Sequence, residues 1–208
     1  MSIVVPTITT DDPHEYREQM ELIATFSEGV HLDFADGEFA PTELLPLATA
    51  WRDEQLITHA HIMYQRPLEV MSDIIRLDAD LVILHAESDD VETCLEQLQE
   101  NGTRTGLALL PETPMSVLAD YKDLFDHVLV FGGNLGYQGG EADLDQLEKV
   151  TKIKKMYPDV EIAWDGGVSK ATIRQIADAG ATVLNVGSAV KKAENPKKAY
   201  DELVSLLS

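Results

Sequence analysis

The feature that most constrains this chain is an eightfold alternation of two patterns. Short apolar, β-branched runs without polar alternation mark strands buried on both faces. They recur at Ile3–Val5, Val30–Phe34, Ile57–Met63, Asp80–Leu84, Thr105–Leu110, Asp126–Phe131, Val160–Trp164 and Thr182–Val186. Between them, apolar residues fall at helical spacing, as in Tyr16, Met20, Ile23 and Ala24, or Val91, Cys94, Leu95 and Leu98. Pro6 is read as ending the first strand, Ser169 as a helix cap, and short helices are predicted from about Glu43 to Trp51 and after Thr113-Pro114. Eight units in 208 residues leave roughly 26 residues apiece, the size of one strand–helix repeat. Residues 1–208 are therefore expected to form a single α/β domain, a (β/α)8 TIM barrel. An open doubly wound sheet is the competing topology, but it carries its phosphate turn after the first strand. Here the glycine-rich turns follow strands six, seven and eight, where barrels commonly bind phosphate.

Charge and cysteine content exclude several classes of partner. The chain has 16 basic and 37 acidic residues, a formal net charge of −21. Such an excess disfavours nucleic acid and anionic membrane, and a solvated acidic surface accounts for it. The one cysteine, Cys94, lies on an apolar helical stripe, so no internal disulfide forms and a reducing compartment is expected. The start, Met-Ser-Ile-Val-Val-Pro, lacks the basic region of a signal peptide, and no run approaches 18 apolar residues. A cytoplasmic protein with no membrane partner is the expectation.

Polar groups at strand ends carry the chemistry. Residues i and i+2 of a strand point to the same face, so His31 and Asp33 project side by side. His61 and Asp165 end two similar apolar runs. Alone, such a histidine reads as a hydrogen-bonded structural residue and such an aspartate as a turn. Together, at the active face of a barrel, two His and two Asp suit a divalent metal, with carboxylates available for proton transfer. Asp33 and Asp165 come from well-separated strands and would approach a central ligand from different sides, as inversion at carbon requires. His59 shares a face with His61 and is an alternative ligand; His85 is a candidate partner to a ligand. Gly166-Gly167 and Gly187-Ser188 are read as backbone anion sites at helix starts, with Gly136 and Gly139-Gly140 able to close over them.

These residues resemble the ribulose-phosphate 3-epimerase family over nearly the whole chain. His31-Leu-Asp33 followed by Asp36-Gly37 is similar to its His-x-Asp-x-x-Asp-Gly, and His61-Ile-Met63 to its His-Leu-Met. Asn134-x-Gly136-Tyr137 resembles part of its glycine-rich loop, and Asp165-Gly-Gly and Gly187-Ser-Ala189 its phosphate turns. The chain departs from the pattern at Thr7, Ala35, Leu110, Phe131 and Leu135. The resemblance implies a barrel of the ribulose-phosphate-binding type. It implies one divalent metal (Zn, Fe(II), Mn or Co) on His31, Asp33, His61 and Asp165, with Asp33 and Asp165 as the catalytic acid/base pair. It further implies a sugar-phosphate site at Thr7, Met63, Gly136, Tyr137, Gly139, Gly166, Gly167, Gly187 and Ser188, a homo-oligomer, and interconversion of D-ribulose 5-phosphate and D-xylulose 5-phosphate. A 3-epimerase of another ketose phosphate, such as a hexulose 6-phosphate, and a non-catalytic sugar-phosphate-binding barrel are the alternatives. Schiff-base chemistry is disfavoured, because no lysine ends strands two to seven and Lys191 lies beyond the eighth strand's turn.

Overall fold

The computed structural model describes residues 2–137 and 139–207. Eight parallel strands, β1 (Ile3–Ile8), β2 (Gly29–Ala35), β3 (Ile57–Met63), β4 (Leu81–His85), β5 (Arg104–Leu109), β6 (His127–Phe131), β7 (Glu161–Asp165) and β8 (Val183–Val186), close in sequence order. β8 pairs with β1, so the barrel closes and no strand edge is left open among the described residues. Helices α1 (Pro13–Ile23), α2 (Met71–Leu77), α3 (Val91–Glu100), α4 (Leu147–Met156), α5 (Ile173–Ala179), α6 (Ser188–Lys191) and α7 (Pro196–Ser205) lie outside. The expected (β/α)8 architecture is the one observed.

Local chemistry explains the elements. The Asp12 carboxylate accepts from the His14 and Glu15 amides and Pro13 opens the first turn, so α1 starts there. Tyr16, Met20 and Ile23 then turn inward against the strands. In α3, Val91, Cys94, Leu95 and Leu98 are buried, as their spacing predicts. Strand periodicity divides the interior into layers. Val5, Leu81, Ile83, Ala108, Leu129, Ala163 and Val183 fill the middle of the barrel. One strand step towards the C-terminal ends, the inward positions become polar: Thr7, His31, Asp33, His61, His85, Asp165 and Asn185.

Four local expectations are corrected. β1 does not end at Pro6 but runs to Ile8. It pairs with β8 over Ile3–Pro6 and with β2 at Thr7 and Ile8, so the proline, which has no N–H, sits where the ladder changes partner. The helix expected over Glu43–Trp51 is reduced to a 3-10 turn at Leu47–Thr49. The Leu44 and Leu45 amides donate to Ala35 and Thr10 carbonyls instead, so tertiary bonds replace helical ones. Ser169 does not cap α5. The capping position is Thr172, three residues on, and its hydroxyl accepts from the Ser169 amide at 2.9 Å. The segment after Pro114 is likewise a 3-10 turn, Met115–Tyr121.

Candidate active site

The β2–β3 register sets Asp33 directly opposite His61, and the β1–β2 register sets Thr7 opposite His31. Asp33 Oδ1 lies 3.0 Å from His61 Nδ1 and 3.3 Å from His31 Nε2. Asp165 Oδ2 comes in from β7, 3.7 Å from His31 Nε2 and 3.9 Å from His61 Nδ1. One ligand atom from each of the four residues lies within 4.8 Å of all the others. These are the four residues singled out in the sequence. His31 is wholly buried, yet neither of its ring nitrogens makes an aligned hydrogen bond among the described residues. A buried imidazole nitrogen aimed at two carboxylates without a hydrogen bond is what a cation between them would satisfy. The donor set fits a divalent metal.

The two carboxyls are pushed apart. Burial favours the protonated form of both. At Asp33 the adjacent His31 and His61 rings overcome burial and hold the carboxyl well below the usual range. At Asp165 burial, reinforced by the Asp33 charge, pushes the carboxyl up to about 6. Burial works against a charged His31, but Asp33 and Asp165 outweigh it and raise its pKa. The Thr9 hydroxyl donates to Asp33 Oδ2 at 2.7 Å, fixing the outer carboxylate oxygen.

Asp33 and Asp165 of the cluster line a cleft of about 510 Å³, open solvent at its mouth included. All of the expected substrate residues line it: Thr7 and Met63 at the base, Gly136, Tyr137 and Gly139 from the segment after β6, and Gly166, Gly167, Gly187 and Ser188 from the last two turns. Gly187-Ser188 stands at the start of α6, as expected. Gly166-Gly167 does not open a helix; it forms the turn after β7, and α5 begins at Ile173. That turn must be glycine. Gly167 has φ +63°, and a Cβ there would meet the Ala142 amide nitrogen at 2.1 Å. The segment after β6 is thereby seated on the one after β7, while the Thr42 hydroxyl donates to the Gly136 carbonyl at 2.6 Å from the other side. Gln138, within this segment, lies outside the described residues.

Other residues fall elsewhere or were not singled out. His59 is not a ligand: it lies at the opposite end of the barrel, 6.0 Å from the His127 ring, and burial depresses it to about 3. His85 does contact a cluster residue, with Nε2 2.8 Å from His61 Nε2. Thr9, Asn134 and Asn185 also line the cleft. Thr9 was hidden by reading β1 as ending at Pro6; Asn185 had a signal, as a polar residue inside the apolar run of β8. No helix among the described residues is long and apolar enough to cross a membrane.

Comparison with known proteins agrees with this geometry. The model of the ribulose-phosphate 3 epimerase family matches residues 3–191. The chain is 32% identical over 183 residues to ribulose-phosphate 3-epimerase of Bacillus subtilis, covering 84% of each chain. It is 31% identical over 181 residues to that of Treponema pallidum, covering 83% of each. Among solved structures, 3-keto-L-gulonate-6-phosphate decarboxylase from Vibrio cholerae superposes with a TM-score of 0.73 at 11% identity, covering 99% of this chain and 97% of that one, a likeness of fold. The family match, spanning the strands that carry all four cluster residues, establishes that this chain is an isomerase belonging to the ribulose-phosphate 3 epimerase family.

Proposed function

We propose that this site inverts C3 of a ketose phosphate, interconverting D-ribulose 5-phosphate and D-xylulose 5-phosphate. The observation that carries the reading is the pair of carboxyls, Asp33 and Asp165, brought from strands on different sides of the barrel to line one cleft. Two such groups, reaching a central sugar from different sides, suit a base and an acid working in one reaction. In one direction the Asp33 carboxylate takes the C3 proton, and the C–H electron pair moves into the C2 carbonyl to give an enediolate. Asp165 then returns a proton to C3 on the opposite face. The reverse reaction exchanges their roles. Acid–base help of this kind contributes about 10²–10⁴-fold.

His31, Asp33, His61 and Asp165 would hold one divalent metal, with zinc, iron(II), manganese and cobalt all suited to the donor set. When bound, that metal supplies Lewis-acid stabilisation of negative charge on the sugar oxygens, worth several kcal/mol. The phosphate is placed at the start of α6, where Gly139 approaches Ser188 and the Lys192 ammonium, beside the Gly166-Gly167 turn. The segment after β6 would cover the sugar and exclude water.

Turnover of D-ribulose 5-phosphate by the purified, metal-supplemented protein tests the reading, with a 3-keto hexulose 6-phosphate run in parallel. Formation of xylulose 5-phosphate supports it. Activity on the hexulose alone would move the assignment to the longer sugar. Binding without turnover of either would leave a sugar-phosphate-binding barrel.

A further inference from the structure

A line of polar contacts leads from the cluster into the barrel wall. Asp33 Oδ1 is 3.0 Å from His61 Nδ1, His61 Nε2 is 2.8 Å from His85 Nε2, and His85 Nδ1 is 3.3 Å from Glu87 Oε2. The other Glu87 oxygen, Oε1, accepts from the Leu110 amide at 3.0 Å. Both imidazoles are wholly buried, and the Phe39 ring lies 4.6 Å from that of His85.

A short N···N contact between two neutral imidazoles holds one proton, so one ring donates and the other accepts. The carboxylates at the two ends make opposite demands. Asp33, 3.0 Å from His61 Nδ1, draws a hydrogen there in the metal-free cluster, and Glu87, 3.3 Å from His85 Nδ1, draws one at the other end. A cation on His61 Nδ1 would remove the first demand and leave Glu87 to decide. An ionised carboxylate only accepts, so His85 carries its hydrogen on Nδ1 and leaves a lone pair on Nε2. His61 then donates from Nε2, and its Nδ1 lone pair is free for a cation that would be shared with Asp33, Asp165 and His31. We propose that Glu87, acting through His85, is a positioning residue that keeps His61 in the Nε2–H tautomer, the one neutral form whose Nδ1 can ligate a metal. The inference rests on the metal reading above, and adds two residues beyond the four ligands.

The relay makes an isosteric substitution informative. In Glu87→Gln, the Leu110 amide holds the side-chain oxygen, which turns the NH2 group towards His85 Nδ1. His85 must then accept at Nδ1 and donate from Nε2. His61 accepts at Nε2, and its proton moves to Nδ1, where Asp33 takes the hydrogen bond. The ligand atom is blocked with almost no change in shape.

Histidine-selective ¹⁵N NMR on metal-free and zinc-saturated protein, with zinc affinity from chelator competition, tests this. In the zinc-saturated form the wild type should carry the His85 proton on Nδ1 and the His61 proton on Nε2. Glu87→Gln should move the His85 proton to Nε2 and weaken zinc about 10–100-fold, with an unchanged melting curve for the metal-free protein. Glu87→Asp keeps an acceptor-only carboxylate and should keep the wild-type tautomer. A His85 proton on Nε2 in the zinc-saturated wild type, equal zinc affinity in wild type and Glu87→Gln, or Glu87→Asp behaving like Glu87→Gln would each overturn the proposal. Absence of zinc uptake by the wild type overturns the metal reading and the ligand role of His61 with it, whereas identical metal-free His85 spectra for wild type and Glu87→Gln would overturn the action of Glu87 on that ring.

Discussion

Asp33 and His61 occupy matched positions on adjacent parallel strands, with Oδ1 and Nδ1 3.0 Å apart and both side chains at least nine-tenths buried. Two strong polar groups this close, withdrawn from water, are retained only when something satisfies them. Asp165 joins them on one side and His31 on another, and the four together could hold a small cation between them.

Metal loading should therefore stabilise the fold. A ligand at a hundred times its Kd adds about 2.7 kcal/mol, which for a chain of this length is roughly 5–10 °C in Tm. Differential scanning fluorimetry with zinc, manganese or cobalt should show that rise at one ion per chain, and chelation should reverse it. His31→Ala should lose the metal-dependent rise. An unchanged Tm with every metal would count against the cluster as a cation site.

The turn after β7 should tolerate no side chain at its second glycine. Gly167→Ala places a Cβ against the Ala142 backbone and in a left-handed conformation, so KM for the sugar phosphate should rise at least about tenfold and stability should fall by about 1–3 kcal/mol. Gly102 also has a positive φ, but a Cβ there meets nothing within 4 Å. Gly102→Ala should cost stability alone and leave KM unchanged, which steady-state kinetics on both variants would check.

Acid sensitivity should come partly from the far end of the barrel. A hydrogen bond from the His127 ring at 2.8 Å holds the Glu161 carboxyl down at about 2, against an ordinary 4.5. Because the folded-state value is the lower one, the stabilisation is fully present above about pH 4.5 and is lost as pH falls towards 2. The side chain is 31% exposed, so solvent screening reduces the effect to about 1–2 kcal/mol. Urea unfolding from pH 7 to pH 3 should show Glu161→Gln less stable at neutral pH and flatter in the acid range.

Salt should stabilise the protein. A net charge of −21 destabilises the compact state by self-repulsion. Raising monovalent salt from about 0.1 M to 1 M shortens the screening length from roughly 10 Å to 3 Å. Tm should climb over that range, and a fall would show that attractive surface pairs such as Arg66–Glu38 dominate instead.

Most of the barrel was legible because burial on both faces leaves a simple mark: eight apolar runs separated by helical stripes. His31, Asp33, His61 and Asp165 stood out because strand-end positions expose polar groups in otherwise apolar sequence. The Glu43–Trp51 helix was misread because the amides of Leu44 and Leu45 are claimed by distant carbonyls, which no local pattern reveals. Pro6 misled because its cost depends on where β1 changes partner. Separating His59 from His61 required knowing which end of β3 opens to the cleft. The Glu87 contact depends on a side chain reaching back across β4, beyond the reach of spacing.

The central claim is proton transfer at C3 between two carboxyls on opposite faces of the sugar. The most direct test is turnover of D-ribulose 5-phosphate in deuterated water by the metal-loaded enzyme, read by NMR. The account predicts xylulose 5-phosphate carrying deuterium at C3, with Asp33→Asn and Asp165→Asn each slowed by about 10²–10⁴-fold while remaining folded and retaining phosphate-ester binding. Product without label at C3, or wild-type turnover in either variant, would contradict it.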